Sequence, residues 1–347
     1  MTLHTTKQTK QTKQAATGAL IGLALGDALG FPTEFNDVPS ILAKFGPWRE
    51  MELPEQGGTA YITDDTQMTL ALARAIRGCE ERGVVGPERF AALVRQEFVA
   101  WYHSPDNNRA PGNTCLSACD LLDSDRMWQD ASQIHSKGCG ANMRVAPLGL
   151  VPGLSEEQRA GAAQLQAAMT HGHPTALAAS DLTARAVYLL AQGVDPTGLV
   201  GHLRSYAYEN RSVYREAWLG DLWTRSREPS ARHFIERGWD ECLAVLEKLD
   251  AVQRRADPEL DPCTYTGDGW IAEEAFATGL LCFLLFPEDP VTALRRAACT
   301  RGDSDSIACL AGAFAGAHLG AGAWPKVWEA RIEHRTELLT LGAHWDA

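Results

Sequence analysis

The sequence has no Cys-x-x-Cys spacing, almost no alternation of apolar and polar residues, and no long hydrophobic run beyond its N-terminal region. Nine cysteines without that spacing indicate reduced thiols rather than a disulfide framework or a zinc ribbon. The longest later apolar run, residues 275–286, is far shorter than the roughly 20 residues that span a membrane. We therefore expect no membrane, no disulfides and few β-strands.

Positive charge is also scarce, because the 347 residues carry a formal net charge of −12. A chain with 45% hydrophobic residues can bury a core, and its acidic character disfavours nucleic acid as a partner. Residues 1–14 hold three lysines and no acidic residue, so the rest of the chain carries −15. We expect a flexible basic tail over residues 1–14 and one domain over residues 15–347.

The first apolar segment, residues 15–26, follows the tail lysines and so imitates a signal peptide. It meets Asp27, however, and no clean A-x-A cleavage site follows, so we expect a cytoplasmic protein. Glycines recur there at four-residue spacing, at Gly18, Gly22, Gly26 and Gly30. Residues four apart stack on one helix face, and a bare face lets another helix approach closely.

Apolar residues recur at three- and four-residue spacing along most of the chain, which is typical of amphipathic helices. Beyond the first segment, the predicted helices cover residues 64–82, 87–103, 113–123, 156–169, 174–191, 231–250, 269–286, 290–300, 304–319 and 325–338. Segment 269–286 is apolar nearly all round and should lie at the centre. Segments 209–232 and 256–268 are polar enough to be loops or insertions. The pattern predicts a single all-α domain.

Two acidic clusters stand at predicted helix starts, where free N–H groups and the helix dipole favour carboxylates. They are Thr63-Asp64-Asp65 and Gly302-Asp303-Ser304-Asp305-Ser306. Each cluster alone is equally well explained as an ordinary N-cap. Together their four carboxylates would repel one another without cations, and an all-oxygen donor set suits Mg²⁺, Mn²⁺ or Ca²⁺. Glu34 is a surface glutamate by itself, but beside a metal pair it would be a general base or a gated ligand.

Five motifs, in order, resemble those of the ADP-ribosylglycohydrolase family: GALIGLALGDALGFPTEF, ITDDTQMTLALA, GCGANMRVAPLGL, MTHGHPTALAAS and RGDSDSIACLAGAFAGA. The resemblance spans about residues 15–320 and implies an all-α orthogonal helical bundle with a dinuclear site for Mg²⁺ or Mn²⁺. The implied metal ligands are Thr63, Asp64, Asp65, Asp303, Asp305 and Ser306. Glu34 falls on the catalytic glutamate, and loss of Asp65 or Asp303 should also abolish catalysis.

The resemblance further implies a cradle for ADP-ribose, in which glycine N–H groups beside a predicted helix start at 144–150 suit a pyrophosphate or ribose. The expected substrate contacts are Asn113, Gly138, Gly140, Asn142, Met143 and His171. A hydrogen-bonded structural histidine is an equally good interpretation of His171. Two departures bear on activity: Ala110 stands where many bacterial members have an acidic residue, and Arg301 could pair with a ligand carboxylate.

The resemblance implies metal-dependent hydrolysis of the N-glycosidic bond between ADP-ribose and a protein side chain, with arginine as the first choice. The partner would then be an ADP-ribosylated protein. The basic tail motivates an alternative, an immunity-type protein that blocks a cognate ADP-ribosyltransferase toxin with or without hydrolysis. A degenerate structural member of the family is a third possibility, which the intact acidic set argues against. Linkage preference and oligomeric state stay open.

Overall fold

The computed structural model describes residues 13–83, 85–124 and 126–347. Most of the predicted tail over residues 1–14 lies outside the described residues, so the division into tail and domain stays a prediction. Within the described ranges the backbone forms helices and four isolated β-bridges, with no β-sheet. The all-α prediction is therefore confirmed.

Eighteen α-helices occupy the described part of the chain. They are α1 (Ala15–Gly30), α2 (Val38–Phe45), α3 (Asp64–Glu80), α4 (Pro87–Tyr102), α5 (Asn113–Leu122), α6 (Trp128–Ala131), α7 (Pro147–Leu150), α8 (Glu156–Ala168), α9 (Pro174–Ala191), α10 (Pro196–Asn210), α11 (Glu216–Leu219), α12 (Ala231–Val252), α13 (Cys263–Thr266), α14 (Ala272–Leu285), α15 (Pro290–Ala298), α16 (Ser304–Leu319), α17 (Lys326–Arg331) and α18 (Arg335–Trp345). Short 3-10 helices lie at Phe31–Thr33, Trp48–Glu50, Cys139–Ala141, Leu222–Arg225 and Ala321–Ala323.

Two predicted helices differ from the structure because isolated β-bridges hold their ends extended. The predicted helix 325–338 is divided into α17 and α18, since Ile332 pairs with Ala60. The central helix α14 starts three residues later than predicted, because Ile271 pairs with Gly138. Helices α2 and α10 were not predicted, although each has an aspartate N-cap and a proline in its first turn.

The glycine face of α1 packs against α16 with the two backbones in contact. A Cβ atom at Gly26 would overlap the Ala308 carbonyl group, and one at Gly312 would overlap the Gly22 carbonyl group. Gly18 lies against Gly316 in the same way, so the two helices run antiparallel. The predicted close approach along this face is confirmed, and it brings the end of α1 to the start of α16.

The segment Ala15–Thr33 is long and apolar enough to cross a membrane by length and composition, yet 83% of it is buried inside the fold. The core helix of a globular protein passes the same test, and packing against α16 and α18 accounts for its apolar surface. The Asp346 carboxylate after α18 accepts hydrogen bonds from the Ala16 and Thr17 N–H groups at 2.8 and 3.0 Å. The C-terminal region thus caps the first helix.

Substitution of Gly26 by alanine should lower the free energy of unfolding by about 3 kcal/mol, because the added methyl forces two packed backbones apart. Gly201→Ala on the exposed face of α10 is the matched control, since nothing lies within 4 Å of its added Cβ. That control should gain up to about 1 kcal/mol from helix propensity. Denaturant unfolding measures both changes, and equal midpoints for the two variants would contradict the packing described here.

Candidate active site

The antiparallel contact of α1 and α16 joins two loops that are far apart in sequence. The turn after α1 carries Glu34, and the first turn of α16 carries Asp303 and Asp305. One carboxylate oxygen from each of these three residues lies within 4.8 Å of the others. Gly30 makes this possible, because any Cβ there would overlap the backbone of Asp305.

A buried aspartate on α1 anchors the second acidic cluster. The Asp27 carboxylate accepts hydrogen bonds from the N–H groups of Thr63 and Thr66, both at 3.0 Å, and from the Thr66 hydroxyl. These contacts fix the start of α3, which directs Asp64 and Asp65 towards the start of α16. Sequence reasoning missed this role, although a single acid in an otherwise apolar helix was a signal for it.

The two acidic clusters and the glycine-rich loop at residues 138–140 line one cavity of about 300 Å³. Eleven predicted site residues line it: Glu34, Asp64, Asp65, Asn113, Gly138, Gly140, Met143, His171, Asp303, Asp305 and Ser306. The cavity therefore has an acidic wall, made of Glu34, Asp64, Asp65, Asp303 and Asp305, and a glycine-rich wall, made of Gly138, Gly140, Asn113 and His171.

Two predicted site residues do not line the cavity. The Thr63 hydroxyl accepts a hydrogen bond from the Asp65 N–H group at 3.2 Å and so caps α3. The fully buried Asn142 side chain turns towards α14, because its amide donates to the Ala272 carbonyl at 3.1 Å. Asn142 therefore ties the glycine loop to the central helix instead of facing the expected ligand.

Burial and mutual repulsion disfavour ionisation throughout the acidic wall. Burial first, then the charges of Asp305 and Asp64, raise the pKa of Glu34 to about 9. Burial also raises the pKa of Asp303 to about 6. The pKa values of Asp64, Asp65 and Asp305 lie well above their usual range, because burial and neighbouring carboxylates act together.

The donor set fits divalent cations. The Asp65 Oδ2 atom is buried and has no hydrogen-bond partner among the described residues. An unpartnered buried carboxylate oxygen is costly unless a cation or a donor meets it. Carboxylates and the Ser306 hydroxyl are hard oxygen ligands of the type that Mg²⁺ and Mn²⁺ prefer. The acidic wall can thus hold metal ions whose charge offsets the repulsion.

The glycine-rich wall needs glycine at residue 140 for steric reasons. A Cβ at Gly140 would lie 2.9 Å from the Cys115 Sγ atom and 3.0 Å from the His171 ring. The His171 Nδ1 atom lies 2.8 Å from the Thr170 hydroxyl, which in turn accepts from the Arg144 guanidinium. Burial, reinforced by the Arg144 charge, lowers the pKa of His171 to about 3, so the ring is neutral.

Eight residues that line the cavity were not predicted as site residues, and Cys139, Phe35 and Trp270 are three of them. The Cys139 Sγ atom lies 2.7 Å from Asp303 Oδ2, between the two glycines of the loop. Phe35 and Trp270 stack at the mouth with ring centroids 5.3 Å apart. Phe35 is 73% exposed and has a φ of 62°, a strained backbone conformation of a kind that clusters at functional sites. Only its position directly after Glu34 signalled Phe35 in the sequence.

The two departures from the family pattern have different positions. The Arg301 Nε atom donates to the exposed Asp268 carboxylate at 2.9 Å, so its guanidinium pairs outside the acidic wall and with none of the predicted ligands. Ala110 lines the cavity with a positive φ of 53°. An acidic side chain is therefore missing from the cavity rim at this position.

Similarity to known proteins identifies a family for this chain. The model of the ADP-ribosylglycohydrolase family matches residues 8–345. ADP-ribosylhydrolase ARH3 of Mus musculus is 27% identical over 361 residues, which cover 94% of this chain and 90% of that protein. ADP-ribosyl-dinitrogen reductase glycohydrolase of Rhodospirillum rubrum is 29% identical over 210 residues, covering 59% of this chain and 67% of that protein.

A solved structure of an ADP-ribosylglycohydrolase-related protein complex shares the fold, with a TM-score of 0.68 at 23% sequence identity. The similarity covers 97% of this chain and 98% of that chain. Sequence and fold thus lead to one conclusion: the chain belongs to the ADP-ribosylglycohydrolase family.

Proposed function

We propose that this protein is a metal-dependent hydrolase that releases ADP-ribose from a modified arginine side chain of a protein substrate. Membership of the family supports hydrolysis of an ADP-ribose linkage. The observation that carries the proposal is that the acidic wall and the glycine-rich wall line the same cavity of about 300 Å³. One wall suits cations and the other suits a pyrophosphate or ribose.

The metal ligands in this proposal are Thr63, Asp64, Asp65, Asp303, Asp305 and Ser306, which would hold two Mg²⁺ or Mn²⁺ ions. When bound, such ions supply Lewis-acid polarisation of the oxygen atoms beside them. The unpartnered Oδ2 atom of Asp65 supports this assignment, as does the crowding around Asp305. The Thr63 hydroxyl oxygen already accepts a hydrogen bond from the Asp65 N–H group, which caps α3. To bind a metal ion, it would have to use its other lone pair.

Glu34 is the proposed base. Cations held by the acidic wall would favour its ionised form, in spite of the burial and repulsion that raise its pKa in their absence. The Glu34 carboxylate would then accept the proton of an attacking water while the C–N glycosidic bond breaks through an oxocarbenium-like state. The Glu34 N–H group donates a hydrogen bond to the Gly30 carbonyl at 3.1 Å. This contact fixes the backbone of Glu34 to the end of α1. The N–H groups at Gly138 and Gly140 and the neutral ring of His171 would orient the ligand.

Arginine is the proposed leaving group for two reasons. Its guanidine is basic, so proton delivery to it is not demanding. The stacked rings of Phe35 and Trp270 add aromatic surface at the cavity mouth, and a planar guanidinium group binds well to such faces. A serine side chain has no planar cationic group that could bind to these rings.

The alternative role, blocking an ADP-ribosyltransferase, depends on the basic tail. Residues 1–12 lie outside the described residues, and no contact of Lys13 or Gln14 points to a protein partner. This alternative stays a prediction, as does the cytoplasmic location.

Saturating Mg²⁺ or Mn²⁺ should raise the melting temperature, because ions that bind only the folded state stabilise it by about 2.7 kcal/mol at 100 times Kd. Asp305→Asn should melt higher than the parent without metal, since one repelling charge is removed, and should lose the metal-dependent rise. Asp37→Asn is the control, because this exposed N-cap of α2 touches no site residue. A parent melting curve that metal leaves unchanged would be evidence against the proposed centre.

Glu34→Gln should lower kcat for release of ADP-ribose from ADP-ribosyl-arginine by about 10²- to 10⁴-fold, because the change removes basicity and keeps size. The metal-dependent rise in melting temperature should remain. Glu247→Gln on the exposed face of α12 is the matched control and should retain parental turnover. Parental turnover of Glu34→Gln would show that another group is the base. A preference for ADP-ribosyl-serine in the same assay would overturn the arginine assignment alone.

A further inference from the structure

A second large cavity lies at the opposite end of α1 from Glu34. It has a volume of about 550 Å³ and lies between the start of α1, the loop 149–155, helices α8 and α9, and the end of α18. Its walls include the side chains of Lys13, Arg159, Tyr188, Gln192 and Trp345. The volume is within the range of small-molecule sites, and the walls combine cations with aromatic rings.

Arg159 on α8 is buried in this wall with few partners. It is 5% exposed, and its one hydrogen bond runs from Nη2 to the Leu154 carbonyl at 3.3 Å. The Nε atom is buried without a partner, and among the described residues no carboxylate lies within 4 Å of the guanidinium group. The guanidinium carbon lies 3.8 Å from the centroid of the Tyr188 ring. Burial lowers the pKa of Arg159.

The other deeply buried arginines have more polar contacts than Arg159, although the Nε atom of Arg296 and the Nε and Nη1 atoms of Arg215 also lack hydrogen-bond partners. Arg144 donates to the Gln166 side chain and carbonyl and to the Thr170 hydroxyl. Arg296 donates to three backbone carbonyl groups, and Arg215 pairs with Glu157 at 3.2 Å. A buried charge with so few partners destabilises the fold, so its position beside a cavity favours an anionic ligand there.

The nearby acidic groups are already committed to other partners. Glu156 pairs with Arg185 at 2.8 Å, and the Asp346 carboxylate accepts from the first turn of α1. Lys13 adds a second cation to the cavity, and its ammonium group donates only to the Leu190 carbonyl, at 3.3 Å, among the described residues. The cavity thus holds two cations, and the carboxylate that lines it, Asp346, is hydrogen-bonded to the first turn of α1.

We propose that this cavity binds a small organic phosphate, with the phosphoryl group between Arg159 and Lys13 and the organic part against Tyr188 and Trp345. A guanidinium and an ammonium group together suit a phosphoryl dianion. The cavity is far larger than inorganic phosphate needs, and its aromatic surface suits an organic body. The site does not share residues with the active-site cavity, so its occupancy can be measured separately.

The test is titration calorimetry on the full chain without divalent metal, with glucose 6-phosphate, AMP and inorganic phosphate as probes. At least one organic phosphate should bind more tightly than inorganic phosphate, and Arg159→Met should weaken that binding at least tenfold. Arg237→Met is the matched control, because Arg237 lines a different cavity, and it should bind as the parent does. Equal binding of the parent and Arg159→Met, or no binding of either organic phosphate by the parent, would overturn the proposal.

Thermal melting of the same variant separates a ligand site from a structural role. Without phosphate, Arg159→Met should melt at or above the parent temperature, because a buried unpartnered charge is removed. A lower melting temperature together with an unchanged phosphate response would mean that Arg159 is structural, which contradicts the proposal. If Arg159→Met does not fold, Lys13→Gln at the exposed edge should still weaken binding of the organic phosphate, and parental affinity would overturn it.

Discussion

The backbone contact between α1 and α16 is the constraint on which the rest of the structure depends. Glycines on both helices let the two backbones approach until carbonyl groups of one helix contact Cα atoms of the other. The contacts of Gly18 with Gly316 and of Gly22 with Gly312 show that the two helices run antiparallel. Because the contact continues to Gly30, the turn that carries Glu34 meets the first turn of α16. The acidic wall therefore follows from helix packing, not from any local preference of the loops.

The same packing concentrates negative charge in a buried place, and further contacts hold it there. Asp27 fixes the start of α3 through buried hydrogen bonds, and Asn142 fixes the glycine loop to α14. These contacts thus hold carboxylates together although they repel one another, as is common at functional sites that are preorganised for a ligand. Cations that bind this wall would relieve the repulsion and strengthen the fold at once.

Much of the fold and site could be predicted because their signals are periodic or local. Helix spacing, the four-residue glycine series and the two acidic helix starts are all visible in sequence. Contacts between distant segments were not visible: the pairing of Ile332 with Ala60 divides a predicted helix, and Arg301 turns to Asp268. Arg159 carried no signal either, since only the tertiary structure shows that a charged residue of α8 lacks partners.

The most direct test of the account is a crystal structure grown with Mn²⁺ and ADP-ribose, with the ions located by anomalous scattering. The account predicts two manganese peaks within bonding distance of Asp65, Asp303 and Asp305, and ADP-ribose along Gly138 and Gly140. Crystals of hydrolytically active protein that contain no manganese in this cavity, or that bind ADP-ribose elsewhere, would contradict it.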